Sequence, residues 1–484
     1  MTTSPKIAVA MKTLFLNAPS FEGFDGGAGA RYQAKREIKS FWYPTWLAQP
    51  AAILGEDAKL VDAPADDLSV AETMALSKGH ELAILHTSTP SFGNDVKVAE
   101  RLKDEIPGIK IGFCGAHVAV MPEKSLQAGK VIDFVCGKEF DYTIADVARG
   151  MSYGDIDGIS YRGANGSIIH NKERALIHDM DTLPSVLDVY KRDLTIENYF
   201  IGYLQHPYLS FYTGRGCPAK CTFCLWPQTV GGHNYRTQSA EHVVSEMAKA
   251  KEYFPQVKEF FFDDDTFTAD LPRTEAIARG LGKLGITWSC NSRANVPYDT
   301  LKVMKDNGLR LLLVGYESGN EDILINIKKG VKKSRYVQFA KDVKDLGIVT
   351  HGTFIVGLPG ESKETVEETI KFACEIDPET IQVSLAAPYP GTFLYDQAVR
   401  EGWLNAPSLE HVDLLGQQTA AIGYPGFTTE QIADALETFY KRFYFRWKPI
   451  SRIVGEMMQD RKVMMRRLRE GKEFFTFMFT RKGT

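Results

Sequence analysis

Cys217, Cys221 and Cys224 fall within the run Gly214-Arg-Gly-Cys-Pro-Ala-Lys-Cys-Thr-Phe-Cys224. The spacing C-x3-C-x2-C offers three thiolates to a metal centre, one fewer than a [4Fe–4S] cluster normally takes. With three, one iron keeps an open position where a small molecule can bind. Such a loop needs a rigid support, and the apolar run Leu209–Thr213 directly before it reads as a strand. Gly214 and Gly216 permit the tight turn. The competing metal reading is zinc, with a distant fourth ligand such as His233. The other four of the seven cysteines are scattered singly. That pattern is not a disulfide framework, and it fits a reducing, cytoplasmic setting.

The strand before the cysteines opens a series. Further apolar runs at Glu259–Asp263, Thr287–Cys290, Leu311–Tyr316, Thr350–Val356 and Thr380–Leu385 alternate with helical patterns starting near Ser239, Leu271, Pro297, Ser334 and Ser362. Six such units between residues 206 and 392 predict a partial (βα)6 barrel, with the cysteine loop on the rim where active residues gather. Residues 12–150 carry a separate βα series with short apolar strands, which predicts a Rossmann-like, doubly wound parallel sheet. Ligands on such sheets bind at the carboxyl ends of strands. Asn17–Ser20, His86–Ser91 and Gly115–His117 would then border one crevice. Residues 151–205 read as a linker containing an Asn-Gly hairpin at 157–166. Residues 393–484 read as helical. The expected class is thus α/β, in two βα domains with a helical C-terminal region.

The cysteine motif, with Phe223 before its last cysteine, resembles that of the radical S-adenosylmethionine (SAM) superfamily. The resemblance implies a [4Fe–4S] cluster whose open iron chelates SAM, reductive cleavage to a 5′-deoxyadenosyl radical, and a reductant such as flavodoxin or ferredoxin. It gives roles to residues on successive strand ends. Phe223 would lie near adenine or shield the cluster. Asp263 or Asp264 would meet the SAM amino group, in place of the more usual Gly-Gly-Glu. Arg293 would pair with the SAM carboxylate, Glu317 would hold the ribose, and Gly357 would present its backbone to adenine. The first 150 residues resemble the cobalamin-binding-type domain that precedes many such barrels, which implies cobalamin as a further cofactor. The Asp-x-His-x-x-Gly cobalt-ligand motif is absent.

Two further runs, Asn17 to Gln33 and Phe41-Trp-Tyr-Pro-Thr-Trp-Leu-Ala-Gln-Pro50, together with Phe223-Cys-Leu-Trp-Pro-Gln-Thr229, resemble hopanoid-biosynthesis radical SAM proteins. That resemblance implies a hopanoid-linked amino sugar as substrate. The glucosamine ring of a bacteriohopanetetrol glycoside would contract to a cyclopentane. Cys290 is a candidate source of the last reducing equivalent, against a plain core role. The aromatic stretch from Asp25 to Trp46 is a candidate substrate entrance. The rival enzyme reading is a cobalamin-dependent C-methyltransferase. A non-enzymatic metal-binding partner protein is the reading from another class.

The formal charge of −4 hides an asymmetry. Lys441 to Thr484 holds 13 Lys/Arg against 4 Asp/Glu, a net of +9, leaving −13 for the rest. The tail also carries Phe443, Phe445, Trp447, Phe474, Phe475, Phe477 and Phe479. Basic residues among aromatics suit an anionic membrane surface, at the inner face of the membrane. Nucleic acid is not expected, because no RNA-binding motif accompanies the charge. No signal peptide is read at Ile7–Met11, and no apolar stretch reaches the ~20 residues of a membrane span.

Overall fold

A computed structural model describes residues 10–21, 40–405, 418–459 and 461–480. The chain divides into two units, the first holding Phe41–Tyr199 and Trp226–Gly232, the second holding Phe200–Leu225 and everything from His233. Residues 22–39, which include most of the aromatic and Gly-rich stretch proposed as a substrate entrance, lie outside the described residues, as do the side chains of Phe477 and Phe479.

In the first unit, β1 (Thr13–Asn17), β2 (Ala58–Asp62), β3 (Leu82–His86), β4 (Lys110–Cys114) and β5 (Phe134–Cys136) form a parallel sheet in the order β2-β1-β3-β4-β5. β1 and β3 are buried along their whole length. A parallel sheet covered on both faces requires this, and it explains why both strands read as unbroken apolar runs. The order places the topological switch point between β1 and β3, where the general rule puts a ligand crevice.

The expected linker at 151–205 is corrected by the structure. Its hairpin, β6 (Ile159–Arg162) and β7 (Ile168–His170), adds two antiparallel strands to the same sheet. The helix Leu187–Asp193 closes the opposite edge: Asp193 accepts from the Leu60 N–H and from Lys59 Nζ, each at 2.9 Å. Tyr199 Oη donates to buried Asp62 at 2.8 Å, and Asn17 Nδ2 donates to the same carboxylate at 2.6 Å. The first domain therefore runs to Tyr199, not to 150. The segment reads as a linker because its elements are short and its apolar cluster, Val186 to Tyr190, is too brief to show a period.

In the second unit, β8 (Tyr208–Phe211), β9 (Glu259–Phe262), β10 (Trp288–Ser292), β11 (Leu309–Glu317), β12 (Val349–Val356) and β13 (Thr380–Leu385) are all parallel and in sequence order. This is the expected partial (βα)6 barrel, and all six strands were legible. The helix starts were legible because side chains cap them. Ser239, Asp270 and Ser362 each accept a backbone N–H three residues on. The open edge of β13 is managed by the helix Thr429–Tyr444. The Val383 N–H donates to Tyr440 Oη at 2.9 Å, and the Ile381 N–H donates to Tyr444 Oη at 3.0 Å. These hydroxyls occupy ladder groups that would otherwise template a further strand. Two more helices follow, Trp447–Gln459 and Arg461–Thr480. No described helix is long and apolar enough to cross a membrane.

Candidate active site

The cysteine loop follows β8 as expected. A short antiparallel ribbon, Gly214–Arg215 against Arg236–Thr237, closes its base. Cys217 and Cys221 are buried and Cys224 is half-buried. Among the described residues, no three His, Cys, Asp or Glu side chains converge on a single ion. His233, the candidate fourth zinc ligand, instead places Nδ1 on the carbonyl oxygens of Cys217 and Ala219, at 3.2 and 3.0 Å. Phe223 packs against an apolar patch of Leu394, Ala398 and Ile422.

The three aspartates after β9 have divided tasks. Asp264 is fully buried and accepts from the Thr213 N–H (2.6 Å), Thr213 Oγ1 (2.8 Å) and Tyr235 Oη (2.7 Å). Burial pushes its carboxyl above the ordinary range, while Arg273 and these donors pull it back. Arg273, on the helix Leu271–Leu284, donates to Thr213 Oγ1 at 2.9 Å and completes the network. Asp264 is therefore committed to holding the cysteine loop's stem to β9, which corrects its assignment to the SAM amino group. Asp263 accepts from Tyr212 Oη at 3.0 Å and Asn291 Nδ2 at 2.9 Å. Asp265 is less buried than its neighbours and lies close enough to Cys217 to push that thiol's pKa up. The larger cause of that rise is burial; the Ala219 N–H and Arg293 act in the opposite direction. Asp265 is the acid beside the loop. The sequence shows three adjacent carboxylates and gives no basis for choosing it.

Arg293 directly follows β10, with Nη1 4.0 Å from Cys221 Sγ and Nη2 donating to the Lys329 carbonyl. Glu317 is in an ion pair: Lys329 Nζ donates to its Oε1 at 2.8 Å, and both residues are buried. Two backbone features aim this carboxylate. The β11–β12 register skips Tyr316, and Glu317 has φ +65°, a costly conformation for a non-glycine residue. Gly315 is required beside it, because a Cβ there would stand 2.4 Å from Glu317 Oε1. Lys329 is thus a site residue the sequence reading missed. It sits in a Lys-Lys-Gly turn with no motif to mark it.

Gly357 ends β12 with φ +91°. Its N–H donates to Glu361 Oε2 at 2.6 Å, and its carbonyl accepts from Tyr424 Oη at 2.8 Å. Its N–H is therefore spoken for inside the protein. Cys290 is fully buried, and burial, with Asp264 adding to it, drives its thiol far above the ordinary range. Successive strand residues face opposite sides. Asn291 shares a side with Asp263, while Cys290 neighbours Asp264 and its Arg273 network. This corrects Cys290 as a reductant: it is a core thiol, not a group at the rim.

In the first unit, the β3 end carries Thr87, Ser88, Thr89 and Ser91, all buried. His86 is buried and neutral, its pKa lowered to about 4 by burial, and its Nε2 has no hydrogen-bond partner among the described residues. His117, likewise lowered to about 4 by burial, meets Thr89 Oγ1 through Nδ1 at 3.1 Å. Gly115 turns at φ +114°, and a Cβ there would stand 2.3 Å from the Thr87 carbonyl. Trp226, two residues past the last cysteine but part of this unit, stacks on Trp46 at 4.9 Å and on His86 at 6.0 Å. A polar, hydroxyl-lined strand end with an orphaned imidazole nitrogen suits a large polar cofactor such as cobalamin.

Comparison with known proteins agrees with this geometry. Residues 211–373 match the model of the radical SAM superfamily. An uncharacterised methyltransferase of Pyrococcus horikoshii is 30% identical over 445 residues, covering 87% of this chain and 92% of that protein. The chain belongs to the radical SAM superfamily. This radical SAM enzyme is also 26% identical to the anaerobic magnesium-protoporphyrin IX monomethyl ester cyclase of Rubrivivax gelatinosus, over 80% of this chain and 70% of that one. The hopanoid C-3 methylase of Methylococcus capsulatus is 30% identical over 40% of this chain and 37% of its own. Among solved structures, the cobalamin-dependent SAM radical enzyme OxsB with aqua-cobalamin and SAM bound superposes with a TM-score of 0.69, at 15% identity, over 98% of this chain and 71% of that one. That likeness establishes the shared fold. Membership brings a [4Fe–4S] cluster and SAM.

Proposed function

We propose that this chain is a cobalamin-binding radical SAM enzyme that transfers a methyl group to an unactivated carbon. The observation that carries this reading is the alignment with a methyltransferase along 87% of the chain, through both units. The OxsB likeness and the hydroxyl-lined β3 end of the first unit support cobalamin there. A hopanoid substrate is supported by the partial similarity to a hopanoid methylase and by the hopanoid-protein resemblance of the N-terminal runs. Cys217, Cys221 and Cys224 would hold the cluster, which when bound would supply reductive SAM-cleavage chemistry, with flavodoxin or ferredoxin as its reductant. The protein's share is electrostatic and steric. Arg293 and Lys329 set positive charge near Cys221, Glu317 is pre-aimed by a strained turn, and Phe223 packs apolar surface beside the third cysteine.

A second reading, contraction of the glucosamine ring in a bacteriohopanetetrol glycoside, is favoured by two observations. A relative aligned over 80% of this chain is a cyclase. Two of the three runs that resemble the ring-contracting proteins, 41–50 and 223–229, also meet, through the Trp46–Trp226 stack. One incubation separates the readings: reconstituted enzyme, SAM, reductant and glucosaminyl hopanoid, without air. Methyl transfer gives a product heavier by one CH2, with S-adenosylhomocysteine. Ring contraction removes one hydrogen atom and returns one electron and one proton, so its product is isomeric with the substrate and forms without S-adenosylhomocysteine.

A further inference from the structure

Exposed apolar residues recur on one face of the helix Trp447–Gln459. Trp447, Ile450, Val454 and Met458 follow each other at spacings of three and four, and are 81%, 39%, 47% and 83% exposed. The helix Arg461–Thr480 repeats the pattern with charge added: Arg461, Met465, Leu468, Lys472 and Phe475 form one exposed stripe. Its other side is occupied, with Phe474 edge-on to Tyr440 and Tyr444 at 5.7 and 6.0 Å. Glu456 and Glu470 both accept from Arg467, so these acids are drawn away from the stripe. A helix on a soluble protein normally turns its apolar stripe inward. A contiguous exposed one marks an interaction surface.

Charge selects the occupant. The stripe belongs to a segment of net charge +9 on a body of −13, and on the second helix it carries Arg461 and Lys472 among its apolar residues. An isologous contact with a second copy would bring Arg461 and Lys472 against like charges. Single-stranded nucleic acid would call for successive aromatic stacking platforms, whereas Trp447 and Phe475 stand at opposite ends of stripes otherwise made of aliphatic, Met and basic residues. We infer that this helical hairpin lies on an anionic lipid bilayer, with the Trp447–Met458 stripe in the headgroup boundary and the basic residues against phosphate. The surface is separate from the barrel chemistry and does not depend on which product forms.

The test is flotation of the full chain with vesicles of phosphatidylcholine alone or mixed with phosphatidylglycerol. The chain should float with the mixed vesicles only, and less so in high salt. Each basic residue near such a surface contributes about five-fold to partitioning. R461E/K472E should therefore weaken binding at least ten-fold, and W447E/M458E should abolish it. Both variants should keep native circular dichroism and SAM cleavage, since all four side chains are exposed. Equal flotation with neutral vesicles, no flotation, or flotation of W447E/M458E like the native chain would overturn the inference. So would variants that change only the oligomeric state or RNA retention.

Discussion

Cys221→Ala should lose the [4Fe–4S] absorbance and, with it, SAM cleavage down to background. The loop supplies three cysteines, and the imidazole of His233, the candidate further ligand, is turned to backbone carbonyls. Removing one ligand opens a second iron, and a cubane with two protein ligands is not retained. Cys221 is the thiol beside Arg293, so its loss also removes the sulfur that this guanidinium faces. The fold should survive, because sulfur is exchanged for a methyl-sized group in a loop braced by Asp264 and Arg273. Iron and sulfide content, electron paramagnetic resonance of the reduced protein and released 5′-deoxyadenosine should fall together while circular dichroism is unchanged. A variant that kept its iron and cleaved SAM would remove these cysteines from the cluster.

Lys329→Met should destabilise the barrel by about 3–5 kcal/mol, because it leaves Glu317 buried with its charge unpaired. The double variant Lys329→Met/Glu317→Gln should regain most of that loss, since a neutral amide costs far less to bury unpaired than a carboxylate does. Denaturant unfolding of the wild type, both single variants and the double variant gives the coupling directly. pH dependence provides a second reading. Burial pulls the Lys329 pKa down, but Glu317 outweighs it, and the net shift is upward from 10.5. A raised folded-state pKa gives stability that is complete below the unfolded value and lost only as pH rises through the folded one. The pair's contribution should therefore be flat through neutral pH and decline only in strong alkali. If the double variant were as unstable as the single one, packing and not charge would explain the loss.

The barrel was legible because parallel strands buried on both faces become continuous apolar runs, and because Ser239, Asp270 and Ser362 mark helix starts chemically. The cluster loop was legible because cysteine spacing is local. The site's ion pair was only half legible. Glu317 ends a strand in a recognisable order, but Lys329 reaches it from twelve residues away, and no spacing rule joins them. The aspartates fail differently: the sequence offers three identical groups, and only Thr213, Tyr235 and Arg273 decide that Asp264 is structural. Cys290 looked like a rim thiol because strand ends are uncertain by a residue or two. The extension of β10 to Ser292 moves Cys290 down into the core, on the side of Asp264. The segment 151–199 was misread because edge hairpins and single-turn helices bury too few consecutive residues to show a period.

The measurement closest to the central claim is anaerobic reconstitution of the full chain with iron and sulfide, followed by SAM and a low-potential reductant, with nucleoside products quantified. A radical SAM enzyme built on Cys217, Cys221 and Cys224 should release 5′-deoxyadenosine and methionine in equal amounts, and only when the reductant is present. A protein that takes up four irons per chain at these cysteines yet leaves SAM intact under reduction would contradict it.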